Sequence, residues 1–195
     1  MAERKARSDA ERNRQAVIAA ADELFARGGG PRGVSMDDVA AAAGVGKGTL
    51  FRGFGDRTGL ILAVVEARIE PLRQAVENGP PPLGPDTPPR ERVPAVLDAI
   101  LRFKFDNRQL SLALEEAGRG SPYQAGHYAW WHRTLRDALR RLPDATDADS
   151  DFTAHALLAA VRADLVEHLA AKLTLNQVAA RLAEFTARLL DAPRR

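Results

Sequence analysis

The sequence predicts an all-α protein, with a three-helix head followed by a larger helical domain. Apolar residues recur at three- and four-residue steps through most of the 195-residue chain, and that periodicity never gives way to a strand signal. Clusters of glycine and proline at residues 28–31 and 79–89, and again around 118–122, punctuate it. The segment Ser35–Phe54, SMDDVAAAAGVGKGTLFRGF, reads as two short helices around a glycine turn.

The first helix is expected over Ser8–Arg27. Ser8 and Glu11 have capping-box spacing, and Val17, Ala20, Ala21, Leu24 and Phe25 recur on one face. Gly28-Gly29-Gly30-Pro31 must stop it. Ser35 and Asp38 cap the second helix, Val39 and Ala40 form its buried face, and Gly44 stands where the chain must turn sharply. Val45 and Leu50 then bury a third helix, which carries Lys47, Thr49 and Arg52 outward. Such a helix-turn-helix has a second helix of the right width for the major groove of DNA. The head is assigned to residues 1–55 and the larger domain to 56–195.

Asp56 is expected to cap a long helix reaching about Asn78, with Leu60, Val64, Ala67 and Leu72 inward. The run Gly79–Pro89 is too proline-rich for helix or central strand and reads as a surface connector of polyproline character. Val93, Val96, Leu97, Ile100 and Leu101 mark a helix ending near Asp106. Asn107 is expected to cap the next, which carries Leu110, Leu112, Ala113 and Leu114. Gly118, Gly120, Ser121 and Pro122 break the chain again. Tyr128, Trp131, Leu135, Leu139 and Leu142 form the stripe of the following helix. One long helix is expected from about Ser150 to Lys172. A last one begins at Thr174, with Gln177 in a capping box and a stripe of Leu175, Val178, Leu182, Phe185 and Leu189. That makes about nine helices. The last two each carry one strong apolar stripe, suited to pairing within the chain and to a four-helix interface with a second copy.

Composition narrows the possibilities. A net charge of +2 excludes a basic coat for nucleic acid, so cations act locally. Arg4, Lys5, Arg7, Arg12 and Arg14 crowd the N-terminus, as either an arm tracking DNA or a solvated tail. Without cysteine there is neither a disulfide framework nor a thiol sensor. No apolar run approaches the ~20 residues of a membrane helix, and the charged N-terminus does not suit a signal peptide. A cytoplasmic protein without membrane association is expected.

The stretch from Gly46 to Arg57 (GKGTLFRGFGDR), with Val17–Gly28 (VIAAADELFARG) before it, resembles the DNA-binding head of the TetR family of bacterial regulators. The likeness runs densely from Val17 to Ile61. It implies an all-helical homodimer whose larger domain binds a small molecule and dimerises through its last two helices. It also implies a repressor that leaves a palindromic operator in double-stranded DNA when ligand binds. Carried over by position, Thr49 reaches base or phosphate, and Lys47 reads bases beside Gly48. Phe51 replaces the usual tyrosine and Gly53 a common histidine, so two backbone contacts are lost. Arg52 is placed to compensate. Arg57 stands for a phosphate-binding lysine, and Ser35 offers a helix N-terminus to another phosphate.

A ligand pocket is expected in the larger domain, where aromatics concentrate. Trp131 belongs to the packing stripe. Trp130 lies about 100° around the helix from it, with His127 and Thr134 as neighbours. Phe103 is near, and Arg102 and Arg162 are candidates to pair with an acidic ligand group. The same residues also suit a second packing surface. No cofactor or metal is expected, because the four histidines show no ligand spacing in sequence. Glu115-Glu116 diverge on a helix, and no phosphate loop or nucleophile elbow appears. The residues thus point to a ligand-responsive DNA-binding regulator rather than an enzyme. A small-molecule carrier or enzyme with a vestigial head is the alternative, and a regulator answering to a partner protein is a third possibility.

Overall fold

The computed structural model describes residues 2–28, 30–116 and 126–191, with side chains from residue 8 onward. In chain order the helices are α1 (Ala2–Arg27), α2 (Met36–Ala43), α3 (Lys47–Phe54), α4 (Arg57–Asn78), α5 (Pro89–Asp106), α6 (Arg108–Glu116), α7 (Gly126–Leu139), α8 (Asp147–Ala159), α9 (Ala163–Ala170) and α10 (Leu175–Asp191). A single 3-10 turn covers Pro31–Gly33. Among the described residues there is no strand, and no helix is long and apolar enough to cross a membrane. The expected break around Gly118–Pro122 and the side chains of Arg4, Lys5 and Arg7 lie outside the described residues.

The chain forms two compact units, Met1–Arg68 with Gln109–Gly118, and Ile69–Arg108 with Arg119–Arg195. The first unit is built around Val17, Ile18, Ala21 and Phe25 of α1, Val39 and Ala40 of α2, Leu50 of α3, and Leu60, Ile61 and Val64 of α4, all buried. Fully burying a valine, leucine, isoleucine or phenylalanine side chain stabilises by about 1.5–3 kcal/mol relative to leaving it exposed, which is how the short α2 and α3 are held against α1 and α4. Two glycines are required by geometry. Gly44 ends α2 in the left-handed region at φ 65°, and Gly30 has φ 135°, where an added Cβ would also lie 2.6 Å from Cβ of Gln109 on α6. Arg32 pairs with Glu116, tying α6 into the same unit.

α1 begins at Ala2, not Ser8, so Ser8 is an exposed interior residue and makes no capping box. Ala2–Arg7 (AERKAR) is composed of strong helix formers, and a cap acts only where the preceding chain leaves the helix. The N-terminal segment is therefore the start of a helix rather than a disordered tail. Asp56 does cap α4, accepting a hydrogen bond from the Gly59 amide at 2.9 Å. Ala67 points to solvent instead of inward; Ala63, Val65, Ile69 and Val76 take the buried positions of α4 beside Leu60 and Val64.

In the second unit α5, α7, α8, α9 and α10 surround one core in which Leu97, Leu101, Leu135, Leu139, Leu157 and Val161 are fully buried. α10 packs principally along α5, and α8 along α7; the two C-terminal stripes are thus each matched to an earlier helix rather than to one another. The single helix expected over 150–172 is two. Val161 is buried at a corner, and Arg162 takes an extended conformation there. Its guanidinium donates twice to Asp164 in the first turn of α9, whose carboxylate also accepts from the Leu165 amide. No glycine or proline marks that corner. Asn107 stands directly before α6, as expected, and also closes α5, with backbone and side-chain nitrogens both donating to the Phe103 carbonyl. On α10 the buried set is Val178, Leu182, Thr186 and Leu190, every fourth residue, and Phe185 is exposed. Thr186 enters the core because its hydroxyl donates to the Leu182 carbonyl at 2.7 Å.

The proline-rich connector is folded into turns, not an extended polyproline segment. The Gly84 amide donates to Pro80 and the Thr87 amide to Gly84. Arg92, itself buried, donates to the carbonyls of Leu83 and Val76 at 3.0 Å each. It thereby fastens the connector to the end of α4. Burial, and then the nearby Arg141, pull the Arg92 guanidinium below its ordinary pKa.

Candidate nucleic-acid interface

The interface is assembled at the corner between α2 and α3. Ser35 caps α2: its hydroxyl accepts from the Asp38 amide, while the Asp38 carboxylate accepts from the Ser35 amide at 2.9 Å and hydroxyl at 2.6 Å. The hydroxyl and amide of Ser35 hold the Asp38 carboxyl below its ordinary pKa, so it is ionised there. Ser35 is exposed, yet its hydroxyl is already engaged, and Asp37 and Asp38 both stand in the first turn of α2.

Gly44 turns the chain, and Leu50, fully buried, anchors α3 through its inner side. The outer side carries Lys47, Gly48, Phe51 and Arg52, all exposed, with Thr49 half-buried beside them. A Cβ placed on Gly48 or Gly53 would meet nothing within 4 Å, so this side is open surface and its backbone can approach a partner closely. Phe51 is 47% exposed on this side. Arg52 reaches toward the Thr49 hydroxyl at 3.5 Å, too long to hold it firmly.

Lys47 is paired with Asp37 at 2.6 Å, with both side chains largely exposed. Arg57 donates to the Pro31 carbonyl. Two of the cations expected to meet DNA, Lys47 and Arg57, are therefore each engaged within the head. Neither engagement consumes all their donors: an ammonium has three and a guanidinium five.

Two contributors were not legible as such in the sequence. Arg14 of α1 donates to the Gly53 carbonyl at 3.2 Å, and its guanidinium lies 4.8 Å over the Phe54 ring. It clasps the end of α3 to α1 and lines a cleft with Asn13, Thr49 and Arg52. Asp37 is the other, set opposite Lys47 by the turn. Ten residues separate that pair, and nothing in linear spacing relates them.

The expected ligand-site residues do not form one constellation. Arg102 is exposed and paired with Asp98 on its own helix at 2.7 Å, which raises its pKa above the ordinary value. Arg162 is occupied with Asp164 at the α8–α9 corner. Trp130 is buried in the core, where its indole N–H donates to Glu77 at 2.6 Å and Arg73 lies 5.1 Å over its ring. Phe103 is half-buried against the core, and His127 and Thr134 are half-buried on α7.

Two helices joined by a left-handed glycine, with an open second helix bearing lysine, arginine and threonine, define a helix-turn-helix DNA-binding protein. A family model described as "Bacterial regulatory proteins, tetR family" matches residues 17–64. An HTH-type transcriptional regulator of Staphylococcus aureus (strain USA300) is 30% identical over 166 residues, covering 83% of this chain and 86% of that protein. Another from strain MRSA252 is 32% identical over 107 residues, 54% of each chain. A TetR-family transcriptional regulator structure from Rhodococcus sp. aligns with a TM-score of 0.66 at 23% identity, covering 93% of this chain and 100% of that one. AibR, solved in complex with isovaleryl coenzyme A and operator DNA, aligns at 0.55 and 17% identity, covering 89% and 97%. These two structures share the fold. The chain belongs to the TetR family of bacterial transcriptional regulators. That is a family of DNA-binding regulators, not of enzymes.

Proposed function

We propose that this regulator is a repressor, acting in the cytoplasm as a homodimer on a palindromic operator and released by a small-molecule effector. The open side of α3 carries the proposal: Lys47, Gly48, Thr49, Phe51 and Arg52 occupy one exposed surface on a helix fixed by Leu50 and Arg14. Lys47 is assigned to guanine edges, Thr49 and Arg52 to bases or phosphate, and Phe51 to thymine methyls or sugar. Arg57 and the capped start of α2 at Ser35 are assigned to the phosphate backbone.

Dimerisation is assigned to α8 and α10, because Phe152 on α8 is 75% exposed and Phe185 on α10 is 45% exposed. An isologous four-helix contact would bury both. The effector is assigned to the second unit, on the side of α5 and α7 that carries Phe103, His127 and Thr134, with Trp130 behind them. Arg102 and Arg162 are not assigned to it, since aspartates on their own elements hold them.

Selection of bound fragments from the source genome with purified protein, followed by sequencing, tests the reading. Enrichment of a short inverted repeat, lost on replacing Lys47 and Thr49 with alanine, is expected. Salt-sensitive binding with no enriched sequence would overturn it and favour a head that holds phosphates alone. A monomer in light scattering at micromolar concentration would overturn the dimer.

A further inference from the structure

Three side chains converge between α7 and α8: Asp151 and His155 lie four residues apart on α8, and His132 reaches them from α7. One ligand atom each from His132, Asp151 and His155 lies within 4.8 Å of the others, and all three residues are half-buried. Nε2 of His132 is 3.4 Å from one carboxylate oxygen of Asp151, and Nε2 of His155 is 3.9 Å from the other. The two imidazoles stack with centroids 3.9 Å apart and planes 26° from parallel. Their Nε2 edges thus face the same carboxylate. Tyr128 stacks on both rings, and its hydroxyl is 2.6 Å from Nδ1 of His155.

We propose that His132, Asp151 and His155 form a binding site for a divalent transition-metal ion, which bridges α7 to α8. Two imidazole nitrogens and one carboxylate oxygen are the donor set that Zn²⁺, Co²⁺, Ni²⁺ and Cu²⁺ prefer, whereas Ca²⁺ and Mg²⁺ require oxygen ligands. In a tetrahedral site with bonds near 2.0–2.1 Å, ligand atoms sit about 3.4 Å apart. The His132–Asp151 distance already has that value, and small side-chain rotations bring His155 in. With Nδ1–H of His155 donated to the Tyr128 oxygen, Nε2 directs its lone pair at the site, the arrangement that orients metal-bound histidines. His132 is shielded, its side chain 14% exposed, while Asp151 and His155 are 49% and 41% exposed. The site therefore has a closed inner side and an open outer one, through which an ion enters and a water or anionic ligand completes its coordination.

The test is titration of the tag-free, full-length protein with Co²⁺, read by its visible d–d absorption, followed by competition with Zn²⁺ in calorimetry. One Co²⁺ per chain, displaced by Zn²⁺, is expected, together with a higher melting temperature in Zn²⁺. Asp151→Asn and His155→Gln should remove the signal, and Tyr128→Phe should weaken affinity by about 10–100-fold. His168→Gln, at an exposed position of α9 outside the cluster, should leave it unchanged. Asp151→Asn alters a half-exposed side chain, and circular dichroism of the variant checks that its fold persists. Absence of stoichiometric Co²⁺ or Zn²⁺ binding would overturn the proposal. So would binding that survives both Asp151→Asn and His155→Gln. None of these readouts depends on DNA, so they stand apart from the operator experiment.

Discussion

Asp37→Asn should strengthen DNA binding. In the unbound head Lys47 is held by Asp37 at 2.6 Å, with side chains 67% and 60% exposed. An exposed pair of this kind is worth roughly 0.2–1 kcal/mol. With Lys47 assigned to DNA as proposed above, operator binding would exchange the pair for a base edge or phosphate and leave the Asp37 carboxylate facing a polyanion. Removing the carboxylate therefore favours the bound state by about that amount per protomer. Across two half-sites this is about 0.4–2 kcal/mol, or about 2- to 30-fold in affinity. Fluorescence anisotropy with an operator fragment at about 50 and 200 mM salt measures it, and the gain should be larger at low salt. The substitution also takes a negative charge from the first turn of α2, which lowers helix stability by about 0.3–1 kcal/mol and is read separately in a melt. The gain should shrink when Lys47 is already alanine. Unchanged or weaker affinity in a folded Asp37→Asn protein, or a gain of equal size without Lys47, would refute the reasoning.

Phe51→Tyr restores a hydroxyl on the open side of α3 and should raise operator affinity by up to about 1.5–3 kcal/mol for a hydrogen bond to phosphate, read by the same anisotropy. Gly44→Ala should destabilise the head by about 1–2 kcal/mol in denaturant, from backbone strain alone, since an added Cβ meets nothing within 4 Å. Arg92→Ala leaves the carbonyls of Val76 and Leu83 unpaired, at about 1–3 kcal/mol each, and Arg92→Met should fare little better, because it keeps the stem and loses the donors. The depressed pKa of Asp38 contributes stability that is fully present above the unfolded carboxylate range and lost as pH falls through the folded value; Ser35→Ala should flatten that acid limb in melts taken from pH 7 downward.

What could be read from the chain alone was whatever depends on neighbours in sequence. The Ser35–Asp38 and Thr174–Gln177 capping boxes, the left-handed Gly44, the helix stop at Gly28 and the capping of α4 by Asp56 are local hydrogen-bond and backbone requirements, and each stands where the residues imply. Helical periodicity likewise placed α5 and the buried side of α7, because a stripe of leucines needs only the helix's own repeat. The open side of α3 was legible for the same reason: burying Leu50 turns Lys47, Phe51 and Arg52 outward.

The tertiary structure decided what depends on residues far apart. Val161 breaks a helix because the core takes it in, and no local breaker announces the corner. Phe185 and Thr186 exchange their expected places because α10 is rotated to meet α5. Arg102 and Arg162 were candidates for a ligand until aspartates on their own elements claimed them. Asp37 against Lys47, Arg14 on Gly53, and His132 with Asp151 and His155 are each joined across a turn or between helices. Periodicity states which side of a helix is apolar, but which helix covers it, and which polar groups that packing brings within 4 Å, is settled only when the core closes.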